Sequence, residues 1–151
     1  MDASILKCMF SSAKLDYSTP QYVFEQLDAE FHFNLDACAN EENHKVPNYY
    51  YGEEGLRRNW FCWKPVEERG RVFCNPPYGR KIGDWIEKGY EEFIRNNVDV
   101  LVFLLPSRTD TRWWHDYVMR AKEIRFIKGR LKFGGCGNSA PFPSCIVIFR
   151  S

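Results

Sequence analysis

Long apolar runs and a strong excess of one charge are what this sequence lacks. Its 151 residues carry a formal net charge of +1 and are 44% hydrophobic, a composition typical of one globular domain. Without an apolar run of about 20 residues, no membrane-spanning helix is predicted. The near-neutral charge argues against a general nucleic-acid coat protein, although it leaves room for a local basic face.

The sequence also lacks closely spaced pairs of cysteines and the patterns of catalytic residues that are typical of hydrolases. The six cysteines form no C-x-x-C pair and follow no signal-peptide pattern, so we expect reduced thiols in a cytoplasmic protein. Cys62, Cys74 and His44 are too irregularly spaced to favour zinc, and we assign no metal site. No Ser-His-Asp or paired-carboxylate arrangement stands out, and the three histidines are interpreted as surface or structural residues.

Strand and helix patterns alternate along the chain. Apolar spacing predicts helices over about 20–30, 82–96 and 111–121, and strands over about 33–36, 70–74, 98–105, 123–127 and 145–149. The segment 131–133 is a further candidate strand, and 40–63 is expected to hold short strands or turns. We predict an α/β fold with a mostly parallel central sheet, the last strands pairing antiparallel.

The chain is predicted to form a flexible N-terminal arm at 1–14 and a single domain at 15–151. The glycine-rich segment 134–144 is either a lid or a plain connection. Asp36 and Asn75 each follow a predicted strand. Because ligands of parallel sheets bind at the carboxyl ends of the strands, these two residues are expected to share a site.

The segment Asn75-Pro76-Pro77-Tyr78 lies between a predicted strand and a predicted helix. The Asn75 side-chain oxygen and the Pro76 carbonyl can accept the two hydrogens of an exocyclic amine, aiming its lone pair at a methyl sulfonium. The prolines stiffen the loop, and Tyr78 offers a ring for a base extruded from the duplex. A rigid turn without chemistry is the alternative reading of this motif.

Six segments in order give the chain a family resemblance: it resembles the compact phage and prophage type of DNA N6-adenine methyltransferase. The segments are Ser18-Thr19-Pro20-Gln21, Leu35-Asp36-Ala37-Cys38-Ala39, Asn75-Pro76-Pro77-Tyr78-Gly79, Leu104-Leu105-Pro106-Ser107-Arg108-Thr109-Asp110-Thr111-Arg112-Trp113, Gly129-Arg130-Leu131-Lys132-Phe133 and Ala140-Pro141-Phe142-Pro143-Ser144. The likeness spans roughly 17–150.

The resemblance implies a Rossmann-like methyltransferase fold, with helices on both faces of the sheet, that binds S-adenosylmethionine. The implied cofactor residues are Thr19, Pro20, Asp36, Ala37, Asn59 and Asn75. Asp36 is expected to pair with the methionine ammonium or to orient its loop; a helix cap is the alternative. Two features depart from the pattern: 37–40 contains no glycine, and Asn59 stands where the family tends to have aspartate.

Basic and aromatic residues after the later strands are the predicted DNA contacts. They are Arg108, Arg112, Trp113, Arg130 and Lys132, expected to ring the active edge and meet phosphates. A solvated charged surface is the alternative for each cation. Of the neighbours Trp113 and Trp114, one is expected in the core and the other near the base.

The predicted activity is methyl transfer from S-adenosylmethionine to the N6 amino group of adenine in DNA. An amino-methyltransferase acting on RNA or on a protein glutamine amide is one alternative, and a non-catalytic subunit of a methyltransferase heterodimer is another. We expect no membrane association, a phage or prophage gene expressed in the cytoplasm of a bacterial host, and either a monomer or a homodimer.

Overall fold

The computed structural model describes residues 18–61, 68–133 and 139–151; the predicted arm at 1–14 and part of the candidate lid fall outside these ranges. No helix in the described ranges is long and apolar enough to cross a membrane. The elements in chain order are α1 (Gln21–Phe31), β1 (Leu35–Ala39), β2 (Tyr49–Tyr51), α2 (Glu54–Arg57), β3 (Gly70–Cys74), α3 (Ile82–Ile94), β4 (Val98–Pro106), α4 (Arg112–Asp116), a 3₁₀ turn (Val118–Arg120), β5 (Glu123–Phe126) and β6 (Ser144–Arg150).

One six-stranded sheet of order β2-β1-β3-β4-β6-β5 organises the described chain. The four strands β2, β1, β3 and β4 run parallel, whereas β6 pairs antiparallel with both β4 and β5. The predicted α/β fold, its mostly parallel sheet and its antiparallel last strands are therefore confirmed. Since β6 opposes both of its neighbours, β5 points the same way as β4, and both end at one edge.

Helices pack on the two opposite faces of this sheet. Phe24 of α1 contacts Phe73 of β3, with ring centroids 5.4 Å apart. On α3, a Cβ added at Gly89 would lie only 2.5 Å from Phe103 of β4. Cys74, the residue after Phe73, pairs in register with Phe103. Because neighbouring residues of a strand point to opposite faces, α1 and α3 lie on different sides.

Two sequence expectations about the elements are wrong in detail. The helix predicted over 111–121 is interrupted: α4 is capped by Thr111, whose hydroxyl accepts from the Trp114 amide at 3.3 Å, and it ends at Asp116 before the 3₁₀ turn. The segment 131–133 is not a strand. Leu131 and Phe133 are nevertheless buried: Phe133 packs against Phe142 with ring centroids 6.0 Å apart, and the Leu131 carbonyl accepts from the Ala140 amide at 2.8 Å.

Candidate active site

A cavity of about 280 Å³ lies at the carboxyl end of β1 and β3, on the α1 face of the sheet. Phe73 lines it, and Asp36 pairs with Phe73 in register. Of the residues singled out in the sequence, the structure brings five to this cavity: Thr19, Asp36, Asn75, Pro76 and Pro77. The shared site expected for Asp36 and Asn75 is thus formed by two adjacent parallel strands.

Asn75 is the first residue after β3, and its side chain is tied to the chain before α1. Its Nδ2 donates a hydrogen bond to Thr19 Oγ1 at 3.0 Å, across 56 residues of sequence. Thr19 is buried, and no side-chain oxygen caps α1, because Pro20 occupies the N-cap position. The Thr19 hydroxyl therefore contacts the Asn75 amide and does not cap α1.

Asp36 is a buried carboxylate inside β1, not at the strand end where its sequence context suggested. It is only 2% exposed. Its two oxygens accept from the backbone amides of Cys38, at 3.3 Å, and Lys45, at 3.0 Å. Burial raises the pKa of Asp36 to about 6, although these hydrogen bonds and the charges of His44 and Lys45 oppose the rise. A cation entering the cavity would stabilise the ionised form.

Three residues predicted to bind the cofactor do not line this cavity. Pro20 is buried at the start of α1, where its carbonyl accepts from the amides of Val23 and Phe24. Ala37 is fully buried within β1, and its carbonyl faces Gly55. Asn59 is exposed, and its backbone carbonyl accepts from the Tyr50 hydroxyl.

Tyr78 lies behind the proline loop and is 2% exposed. Its hydroxyl donates to the Leu104 carbonyl at 3.0 Å. Phe133 and Phe142 pack nearly perpendicular to its ring, with centroids at 6.1 Å and 5.4 Å. The ring is therefore covered by neighbouring aromatics instead of being presented to solvent.

An asparagine turn that the sequence analysis missed follows β1. The Asn40 side-chain oxygen accepts from the amides of Glu42 and Asn43, both at 2.8 Å. The Asn43 side chain in turn accepts from the Asn40 amide at 2.7 Å and donates to Ser18 Oγ at 3.4 Å. Ser18, Asn40 and Asn43 all line the cavity. Asparagine favours such turns, so the turn replaces the glycine-rich loop absent from 37–40.

Lys45 and the end of β2 form the remaining wall. Lys45 lines the cavity, and its Nζ donates to the side chain of Gln21 in α1 at 2.8 Å, which ties this wall to the helix. Tyr51 lines the cavity yet is 61% exposed, and Gly52 follows it with φ +53°, a conformation that favours glycine. An exposed aromatic beside a glycine turn is the signal that could have located this wall.

The thiols near the cavity are poor nucleophiles. Burial, together with the neighbouring Asp36 charge, raises the pKa of Cys38 to about 12, and burial raises the pKa of Cys74 well above its usual range. Cys38 lines the cavity and Cys74 ends β3. Both thiols stay protonated at neutral pH, so these two cysteines offer no thiolate for covalent catalysis. Within the described ranges, no cluster of His, Cys, Asp or Glu is arranged to hold a metal ion.

The predicted DNA contacts lie at the same edge of the sheet as Asn75 but outside the cavity. Arg108 and Arg112 follow β4, Arg130 and Lys132 follow β5, and all four are exposed. The Arg108 guanidinium lies 5.8 Å from the centre of the Phe142 ring. Trp114 is buried, whereas Trp113 is half-buried and packs near Gly83 of α3.

Comparison with known proteins gives one family. Two curated relatives, each named DNA N-6-adenine-methyltransferase, match over 117 residues: one from Escherichia phage T1 at 31% identity and one from Haemophilus phage HP1 at 32%. The matches cover 76% and 74% of this chain but only 45% and 61% of those relatives. The family model for DNA N-6-adenine-methyltransferase (Dam) matches residues 9–150. With nearly its whole length matched, the chain belongs to the Dam family of DNA N-6-adenine-methyltransferases.

Proposed function

We propose that this chain transfers a methyl group from S-adenosylmethionine to the N6 amino group of adenine in DNA, using a Rossmann-like methyltransferase fold. The observation that carries the proposal is that Asp36 and Asn75 line the same cavity. Family membership and the printed names of the phage relatives support the same reaction. The mostly parallel sheet, with a ligand-sized cavity at the carboxyl ends of its strands, is compatible with this fold.

Asn75 and Pro76 are proposed to hold the target amine. An exocyclic amine of a base is a weak nucleophile because its lone pair is delocalised into the ring. The Asn75 side-chain oxygen and the Pro76 carbonyl would accept its two hydrogens, which favours a pyramidal nitrogen with a directed lone pair. The two prolines fix this loop directly after β3, so the two acceptors are oriented before the base arrives.

The cavity fits a cationic, polar cofactor. When bound, S-adenosylmethionine supplies an electrophilic methyl group on a sulfonium. Asp36 is the proposed partner of its ammonium, since a buried carboxylate with a raised pKa gains from a neighbouring cation. The asparagine turn provides further polar groups along the wall, and Tyr51 provides an exposed ring for an apolar contact at the mouth.

The exposed cations that follow β4 and β5 are the proposed phosphate contacts. Arg108, Arg112, Arg130 and Lys132 surround the edge at which the target base would enter. Trp113 remains a candidate contact with DNA on the same side. For a base to stack on Tyr78, Phe142 would have to move, because Phe142 now packs against that ring.

The alternative activities receive less support. Both relatives are named for DNA, which does not favour RNA or a protein glutamine amide. The intact segment from Asn75 to Tyr78 beside a formed cavity does not favour a non-catalytic subunit. Phage relatives and a DNA substrate support a phage or prophage gene acting in the cytoplasm of a bacterial host.

The test is incubation with tritiated S-adenosylmethionine and, in parallel, unmodified DNA, RNA and protein, followed by nucleoside analysis of any labelled polymer. Label recovered as N6-methyl-2′-deoxyadenosine from DNA is the expected result. Label found only in RNA or protein, or no transfer by a folded chain that binds the cofactor, would overturn the proposal.

A further inference from the structure

We propose that Thr19 is the positioning residue of Asn75: it accepts the hydrogen bond from Asn75 Nδ2 and thereby keeps Asn75 Oδ1 turned toward the substrate amine. This inference rests on the proposed function, because it assigns the orientation of the amide that binds the target. Thr19 does not touch the reacting atoms in this role and acts through Asn75.

The contact between the two side chains is well placed for such a role. Thr19 Oγ1 lies 3.0 Å from Asn75 Nδ2, within the range of a good hydrogen bond. Thr19 is 6% exposed, so water competes little for the bond. Both residues line the cavity, which places the contact beside the proposed reaction centre.

The acceptor is held on a rigid support. The next residue, Pro20, has φ −58° and occupies the N-cap of α1. Its carbonyl accepts from the amides of Val23 at 3.1 Å and Phe24 at 3.2 Å, and Phe24 is anchored against Phe73 in the core. Because the start of the helix is fixed without the Thr19 hydroxyl, that hydroxyl remains available to Asn75.

The chemistry of an amide explains why its orientation matters. One side of the group accepts hydrogen bonds and the other donates them. A primary amine on the substrate presents hydrogens, so only Oδ1 can hold it, and an amide rotated by half a turn would direct Nδ2 at another donor. An acceptor fixed on the Nδ2 side favours the productive orientation, and its loss makes that orientation less populated.

The test compares Thr19→Val with Thr19→Ser, since valine keeps the shape without the oxygen and serine keeps the oxygen. We expect Thr19→Val to lower kcat about tenfold, which corresponds to the loss of one modest interaction in the transition state. Its Kd for S-adenosylmethionine should change by less than about threefold, and Thr19→Ser should retain most of kcat. Thr19→Ala serves as the second variant if Thr19→Val does not fold.

A readout independent of turnover is the Asn75 side-chain NH₂ signal in NMR spectra of protein labelled with ¹⁵N-asparagine. Its hydrogen exchange should be slow in the wild type and in Thr19→Ser, and faster in Thr19→Val. Unchanged exchange, an unchanged kcat, or a loss confined to cofactor affinity would overturn the role of Thr19. A wild type that methylates no DNA but shows the exchange pattern would contradict the proposed function and leave the contact established.

Discussion

At the scale of single residues, Asn75 carries the largest expected effect. Replacing Asn75 with alanine removes one of the two acceptors proposed for the amine, so transfer should fall at least about a hundredfold, as when one transition-state hydrogen bond is deleted from an active site. Far-ultraviolet circular dichroism and the Kd for S-adenosylmethionine should stay close to wild type.

The matched control for Asn75→Ala is Gln26→Ala, which deletes an amide at an exposed position of α1 outside the cavity that Asn75 lines. It should leave transfer unchanged. Full activity of Asn75→Ala, or an equal loss in both variants, would contradict the role given to Asn75.

The buried charge of Asp36 makes the stability of the protein depend on pH. Its pKa is raised from 3.8 to about 6 by burial, so the folded state binds a proton more tightly than the unfolded state does. This group's contribution to stability is fully present below about pH 4 and declines as pH rises toward 6. By the same linkage, the stability of Asp36→Asn relative to the wild type should rise by about 1–3 kcal/mol between pH 4 and pH 7, because asparagine carries no charge.

Urea unfolding at pH 7 and pH 4 would measure this change. Comparing the two pH values cancels the hydrogen bond that the asparagine Nδ2 cannot accept from Cys38 or Lys45. Asp36→Asn should also weaken cofactor binding, because the proposed ammonium loses its partner. Asp99→Asn, at an exposed pair with Arg69, should change stability little. A relative stability of Asp36→Asn that is the same at pH 4 and pH 7 would refute the assigned cost of the buried charge.

The sequence could predict the identities of these residues but not their contacts. The motif at Asn75 and the carboxylate at Asp36 could be recognised because each stands within or directly after an apolar strand pattern. The bond from Asn75 to Thr19 joins side chains 56 residues apart, and the burial of Tyr78 depends on Phe133 and Phe142 from a distant loop. No periodicity encodes such pairs.

At the scale of elements, α3 packs without a side chain at Gly89. A Cβ there would approach Phe103, Leu101 and Trp60 within 2.5–2.9 Å. Since these neighbours belong to the core, Gly89→Ala should destabilise the protein by about 1–3 kcal/mol, the usual cost of overpacking. Thermal unfolding followed by circular dichroism would measure the change.

Gly83→Ala in the first turn of the same helix is the control for Gly89→Ala. Its Cβ would lie 3.6 Å from Trp113, an ordinary contact, so helix propensity should stabilise the protein by up to about 1 kcal/mol. Equal effects of the two substitutions would show that the close approach of α3 to the sheet is not as described.

Elements with a clear apolar period were predictable, whereas those set by tertiary packing were not. β4 is a nearly continuous apolar run and α3 has helical spacing, so both were expected close to where they lie. Leu131 and Phe133 alternate as in a strand, yet they are buried in a segment that is not part of the sheet. β2 is three tyrosines, too short and too polar in context to stand out.

At the scale of the whole molecule, the basic residues at the proposed DNA-binding edge should set the salt dependence of DNA binding. Replacing Arg112 with alanine should weaken binding and reduce the slope of log K against log salt by about one. Fluorescence anisotropy with a labelled duplex at several salt concentrations would measure it. Arg95, exposed between α3 and β4 at the opposite edge, provides the control: Arg95→Ala should leave the slope unchanged. Identical slopes for all three proteins would remove Arg112 from the proposed interface.

The cavity beside Asp36 and the ring of Tyr78 differ in how a ligand can reach them. The cavity beside Asp36 reaches the surface at Tyr51, so a small molecule can enter the folded protein as it stands. Tyr78, in contrast, is sealed by its own aromatic neighbours, one of which also lies beneath Arg108. A nucleobase can therefore reach that ring only after Phe142 has moved. A phosphate that binds Arg108 and draws it away from Phe142 would make this movement easier. If the proposed function holds, S-adenosylmethionine can bind to the protein as it is folded here, whereas a base can stack on Tyr78 only after Phe142 has moved.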